Sequence, residues 1–250
     1  MGLIQLLLAS MNHPPVNALG IQFLEDFEKV LKHLWERGDI RAVLVASACP
    51  GFFSAGDDIA ALKEIDEETI ADLLRVHALL NHLEALPLPT VAAINGHALG
   101  GGLELALACD FRFMGAGSGR IGLPEIRLGM IPSFGGTQRL PLVVGKAKAI
   151  EMMYKGLQLN SEDAEKIGLV NAVFPGEELY DRSLDYAERL ARQATRAIGR
   201  IKTCVLTGIR EGFSAGLTAE QEAFRENIRE PDAVEGIQAF LEGRKPVFKG

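Results

Sequence analysis

Two five-residue runs, Ala42-Val43-Leu44-Val45-Ala46 and Thr90-Val91-Ala92-Ala93-Ile94, constrain the fold more than any other feature. Runs this short and this apolar, bounded by turn residues, read as strands buried on both faces. Between them the periodicity changes to that of helices. Residues 21–35 carry Ile21, Leu24, Phe27, Val30, Leu31 and Leu34 at helical spacing, and Gly38 ends the stretch. Residues 67–86 place Ile70, Leu73, Leu74, His77, Leu80 and Leu83 on one stripe until Pro87 and Pro89 stop it. Residues 3–9 and 111–114 read as further strands, 103–108 as an apolar helix and 51–58 as a glycine-containing loop. After Pro124 the pattern is mainly helical, over 161–168, 179–190, 195–209, 218–228 and 232–242. Alternating strands and helices followed by a helical tail describe an α/β fold. Pro175-Gly176 marks where the tail begins.

Composition narrows the function. With 250 residues, 48% hydrophobic and 24% charged, the chain can bury a large core without disulfides or metals, as one domain with at most a small appendage. A net charge of -7 repels phosphate backbones and argues against nucleic acid as a partner, though it leaves room for a local basic groove. The cysteines Cys49, Cys109 and Cys204 are odd in number and widely spaced, which fits reduced, buried thiols in a cytoplasmic protein. The apolar start of the chain lacks a basic leader and runs straight into Asn12-His13-Pro14-Pro15, so it reads as a strand and not a signal sequence. No apolar run approaches the ~20 residues of a membrane span.

Two strand-to-helix junctions end in small-residue turns, Phe53-Ser54-Ala55-Gly56-Asp57-Asp58 and Ala98-Leu99-Gly100-Gly101-Gly102-Leu103-Glu104. Such turns expose peptide N–H groups, and two converging on one point form an oxyanion hole. Taken alone, a glycine turn is as well explained by tight packing. Neither turn matches the dinucleotide pattern Gly-x-Gly-x-x-Gly. Glu104 is a lone acid in an apolar helix, where burial would raise its pKa toward the acid/base range. By itself it is equally a first-turn residue complementing the helix dipole. Glu125, after Pro124, is by itself a helix-start or surface residue. Sequence spacing does not show that the two carboxylates face each other.

The chain resembles the crotonase, or enoyl-CoA hydratase/isomerase, family nearly end to end. The resemblance begins at Pro15-Val16-Asn17-Ala18-Leu19 and runs through Phe53-Ser54-Ala55-Gly56-Asp57-Asp58-Ile59. It continues in Asn95-Gly96-His97-Ala98-Leu99-Gly100-Gly101-Gly102-Leu103-Glu104-Leu105-Ala106 and Leu123-Pro124-Glu125-Ile126. Gly135-Gly136-Thr137-Gln138-Arg139-Leu140 and the stretch from Glu235 to Pro246 complete it. Each motif is modest, but together, in the family order, they are highly specific.

The resemblance implies a spiral of ββα repeats over residues 1–190 and a helical region over 191–250 that serves oligomerisation and completes the coenzyme A pocket. It implies an acyl-CoA substrate, no metal or redox cofactor, and trimers or hexamers. Glu104 and Glu125 match the catalytic carboxylates of the hydratases. The oxyanion hole is then the backbone N–H of Asp57 and of Gly101, with the Asp57 carboxylate expected to point away from the developing negative oxygen. Phe53, Ala55, Gly56, Asp58, Ile59, Gly100 and Phe134 are expected at the substrate and coenzyme A, and Lys245 and Phe248 near the coenzyme. Ser133-Phe134 stands where relatives commonly carry Gly-Ala, which puts the acyl pocket's length in question.

Three alternatives stay open: an isomerase working with one carboxylate, another crotonase-type lyase, and a non-catalytic homologue that binds RNA. Retention of both glutamates weighs against the first and third. The histidines, including His97 near the glycine turn, fit structural roles, and the adjacent pair Asp57-Asp58 lacks the further ligands of a metal site.

Overall fold

A computed structural model describes residues 5–59, 63 and 66–250. Strands β1 (Gln5–Met11), β2 (Ile40–Ser47), β4 (Thr90–Ile94), β6 (Phe111–Gly115) and β9 (Ala172–Phe174) form a parallel sheet in the order β1-β2-β4-β6-β9. A smaller sheet, β3-β5-β7-β8, is built from β3 (Phe52–Ser54), β5 (His97–Leu99), β7 (Ile121–Gly122) and β8 (Gln158–Leu159). Helices α1 (Ile21–Glu36), α2 (Glu67–Ala85), α3 (Gly101–Leu107), α4 (Gly136–Val144) and α5 (Lys146–Lys155) surround them. The chain repeats one unit: β2-β3-α2, then β4-β5-α3, then β6-β7-α4. Each turn sends one strand to each sheet and then a helix. This is the ββα spiral that the resemblance implied.

The apolar runs have a direct explanation. Side chains alternate across a strand. In β2, Val43 and Val45 enter the core under α1 and α2, while Ala42, Leu44 and Ala46 enter a second core beneath α7 (Leu179–Ala191). In β4, Ala92 and Ile94 join the first core, Val91 and Ala93 the second. Both faces of β2 and β4 are covered, which is why the two runs are almost wholly apolar, and the buried Thr90 is accommodated by bonding Asp110.

Several elements differ from the sequence reading. The first strand extends to Met11, and Leu3 and Ile4 lie outside the described residues. Strands β3, β5, β7, β8 and β9 span two or three residues, too few for a period, and went unread. Helix α6 (Ser161–Lys166) is capped by Asn160, whose side chain accepts from the Asp163 N–H, so Ser161 is its first residue and not its cap. In the tail, α8 (Thr195–Glu211) is followed almost at once by α9 (Phe213–Asn227), which begins five residues before its expected start at 218. Gly208 and Gly216 account for the tight reversal, since a Cβ on Gly216 would lie 2.8 Å from the Gly208 Cα. Helix α10 (Pro231–Glu242) follows. Among the described residues no helix is long and apolar enough to cross a membrane.

Candidate active site

The two small-residue turns meet. In the first, the Ser54 hydroxyl donates to the Asn17 carbonyl (2.7 Å) and accepts from the Gly56 N–H (3.1 Å). The Ala55 N–H donates to the Val16 carbonyl, and the Leu19 N–H to the Gly56 carbonyl. Gly56 has φ +89°, and a Cβ there would lie 2.9 Å from the Gly101 nitrogen. In the second turn, Gly100 (φ +53°) donates to the Gly122 carbonyl and caps α3. A Cβ on Gly102 would lie 2.3 Å from the Ser54 carbonyl oxygen. Backbone is thus pressed on backbone, as glycine alone permits. This contact brings the Asp57 and Gly101 peptide N–H groups into one corner. Neither is a donor in any described hydrogen bond.

Glu104 lies in the first turn of α3 and is 1% exposed. Its Oε1 accepts from the Phe134 N–H (2.8 Å), in the loop before α4, and from the Gly136 N–H (2.6 Å), an orphan donor of that helix's first turn. Glu125 opens a 3-10 turn (Glu125–Leu128) and is also buried. Its Oε1 rests 3.2 Å from where a Gly100 Cβ would be. Neither of its carboxylate oxygens has a hydrogen-bond partner among the described residues, beyond the approach of its own peptide N–H. Burial pushes both glutamates up to about 7, and the negative charge of Glu125 adds to the rise at Glu104. The two peptide N–H donors oppose it there. The helix-dipole and surface readings of these residues therefore give way to a buried, electrostatically coupled pair.

Asp57 overturns one expectation. Its carboxylate does not point away from the site. Oδ1 is buried without a partner, 2.8 Å from the position of a Gly101 Cβ, and its charge is felt by both glutamates. Burial raises it to about 6.

The remaining expected residues divide. Gly56 and Gly100 shape the corner. Phe53 is wholly buried, so only its backbone faces the turn. Ala55 is half-buried, and Asp58 and Ile59 lie on the exposed side. Phe134 is also wholly buried, and it meets the site through its peptide N–H and through a ring edge packed against Gly101. Phe248 packs on Gly236 in the tail, and Lys245 is exposed. Sequence reasoning missed the support behind Glu104. Buried Arg139 donates to the Phe134 carbonyl (2.8 Å), to Asn81 (2.6 Å) and to Glu84 (3.0 Å), and Arg210 of α8 adds a bond to Glu84 (2.6 Å). Arg139 sat inside a quoted motif, but nothing in the sequence tied it to Glu84. Among the described residues no cluster of three His, Cys, Asp or Glu is arranged to hold a metal ion.

The buried acids predict a stability effect. A carboxyl whose folded pKa lies above its unfolded one leaves stability intact below the unfolded value and removes it as pH rises through the folded value. For Glu125 the window runs from 4.5 to about 7. Glu125→Gln removes the ionisation, so the variant is expected to melt above wild type at about pH 8 and close to it at about pH 4.5. Thermal unfolding at the two pH values checks this.

A ββα spiral whose strand-end turn is locked against a glycine-capped helix is the crotonase fold. The sequence model of the enoyl-CoA hydratase/isomerase family matches residues 5–250, and the chain belongs to that family. It is 39% identical over 246 residues to the mitochondrial enoyl-CoA hydratase domain-containing protein 2 of Mus musculus, covering 96% of this chain and 83% of that one. Identity to the mitochondrial methylglutaconyl-CoA hydratase of Rattus norvegicus is 35% over 239 residues, covering 94% and 76%. The crystal structure of an enoyl-CoA hydratase from Bacillus anthracis superposes with a TM-score of 0.92 at 35% identity, covering 98% of this chain and 96% of that one.

Proposed function

We propose that this protein adds water syn across the double bond of a 2-enoyl-CoA, giving a 3-hydroxyacyl-CoA. The observation that carries the reading is the pair of buried glutamates raised to about 7 beside two undedicated peptide N–H groups. The thioester oxygen sits between the N–H groups of Asp57 and Gly101, which stabilise the enolate-like charge. One glutamate, ionised, takes a proton from water as the oxygen attacks C3. The other, protonated, delivers a proton to C2. A pKa near working pH lets each hold either state. Glu104, fixed by two N–H groups, suits the water, and Glu125, with both oxygens unengaged, suits delivery to C2. All steps use side chains and backbone of the chain itself, and coenzyme A enters with the substrate.

The tail supports self-association into a trimer or hexamer. Phe213, Phe224, Phe240 and Leu241 are exposed on α9 and α10, and no residue of α9 is buried.

The test is the conjugated-enoyl absorbance of crotonyl-CoA. It is expected to fall with the purified protein while a product heavier by one water appears. Conversion of a 3-enoyl-CoA to the conjugated isomer, with no hydration of crotonyl-CoA or longer 2-enoyl-CoAs, would instead establish the isomerase.

A further inference from the structure

The Asp57 carboxyl is left over from the proposed chemistry, which uses only its peptide N–H. It nevertheless shares the corner. Its Oδ1 is buried without a partner, 2.8 Å from where a Gly101 Cβ would be, and Leu19 and the ring edge of Phe134 border the same spot at 2.9 and 3.0 Å. Glu104 faces it from α3 and Glu125 from the 3-10 turn, and both feel its charge. No salt bridge among the described residues involves any of these three carboxyls. The nearest cation in sequence, Lys63, is exposed. An acyl chain whose carbonyl is held by the Asp57 and Gly101 N–H groups starts beside this carboxyl, which belongs to one of the two donor residues.

We propose that Asp57 is a specificity-determining residue that makes the acyl site reject thioesters carrying a second carboxylate and select uncharged acyl chains. The inference rests on the acyl-CoA reading above. Like charges in a partly dehydrated site repel far more strongly than in water, and a site that accepts a distal carboxylate needs a donor or a cation for it. This corner offers a third acid instead. Burial holds Asp57 at about 6, so it is mainly ionised at neutral pH and above.

Binding tests this without hydration. Glutaryl-CoA and its neutral isostere 5-methylhexanoyl-CoA differ in charge at nearly constant shape, and neither has a double bond to hydrate. Their Kd values are compared by calorimetry at about pH 8 for wild type, Asp57→Asn and Asp57→Ala. Wild type is expected to bind glutaryl-CoA at least about ten-fold more weakly than the isostere, and the gap is expected to shrink by about ten-fold or more in Asp57→Asn. Asp57→Ala answers the same question if the asparagine variant folds poorly. A gap that stays within about two-fold of wild type in the folded variants, or a wild type that binds both equally, overturns the role of Asp57. Binding of neither thioester removes the acyl-CoA reading beneath it, whereas binding without crotonyl-CoA turnover removes only the hydratase.

Discussion

Glu104→Gln and Glu125→Gln are each expected to lower kcat for crotonyl-CoA hydration by about 10²–10⁴. Glutamine keeps the shape and removes the ionisable oxygen. At Glu104 the amide oxygen still accepts from the Phe134 and Gly136 N–H groups, so the loop keeps its anchor while the base is gone. At Glu125 the one polar approach is its own peptide N–H, which the amide oxygen can still accept. Both variants should therefore fold, and KM should move far less than kcat. The double variant should fall little below the worse single one, since carboxyls sharing one water act as a unit. Initial rates by absorbance check this. A single variant within about three-fold of wild type would remove that glutamate from the mechanism.

Gly102→Ala is expected to have a large structural effect at the site itself. The new Cβ would sit 2.3 Å from the Ser54 carbonyl oxygen and 2.9 Å from its carbon. Both are backbone atoms of a turn pinned by the Ser54 hydroxyl and Gly56, so they cannot move aside cheaply. We expect a loss of about 3 kcal/mol, the upper range for overpacking. For a chain of this size that lowers Tm by roughly 6–12 °C. Activity should drop further than stability alone explains, because the same clash drives the Gly101 and Asp57 N–H groups apart. Gly38→Ala is the control, with no atom within 4 Å of its Cβ, and it should melt close to wild type. Calorimetry and crotonyl-CoA rates on the folded fraction separate the two effects.

The contrast between those glycines shows what a sequence conveys. Gly38 and Gly102 look alike in the chain, and only one is an obligatory contact. The long helices and the two apolar strands were legible because their period extends over enough residues to register. The two- and three-residue strands of the small sheet have no period, although they carry both turns of the site. Glu104 and Glu125 were visible as residue types in motifs, but their facing is a property of the spiral. Burial of Asp57 beside them ran against the expected direction, because the local sequence says nothing of which way a turn side chain packs. Arg139 and Glu84 lie on different helices, so their pairing needed the folded chain.

One oxygen of Glu104 spends both its lone pairs on peptide N–H groups. Only Oε2 is left for chemistry, and a half-turn of the carboxylate would put an equivalent oxygen in each of the same two places. On the proposed reaction, water can then approach the flat enoyl group from a single side. The handedness of the alcohol formed is accordingly set by the main chain at residues 134 and 136, and it should survive a side-chain change at Phe134 that leaves both amides in place, whereas a Cβ at Gly136 would lie 2.9 Å from Glu104 Oε1 and disturb it.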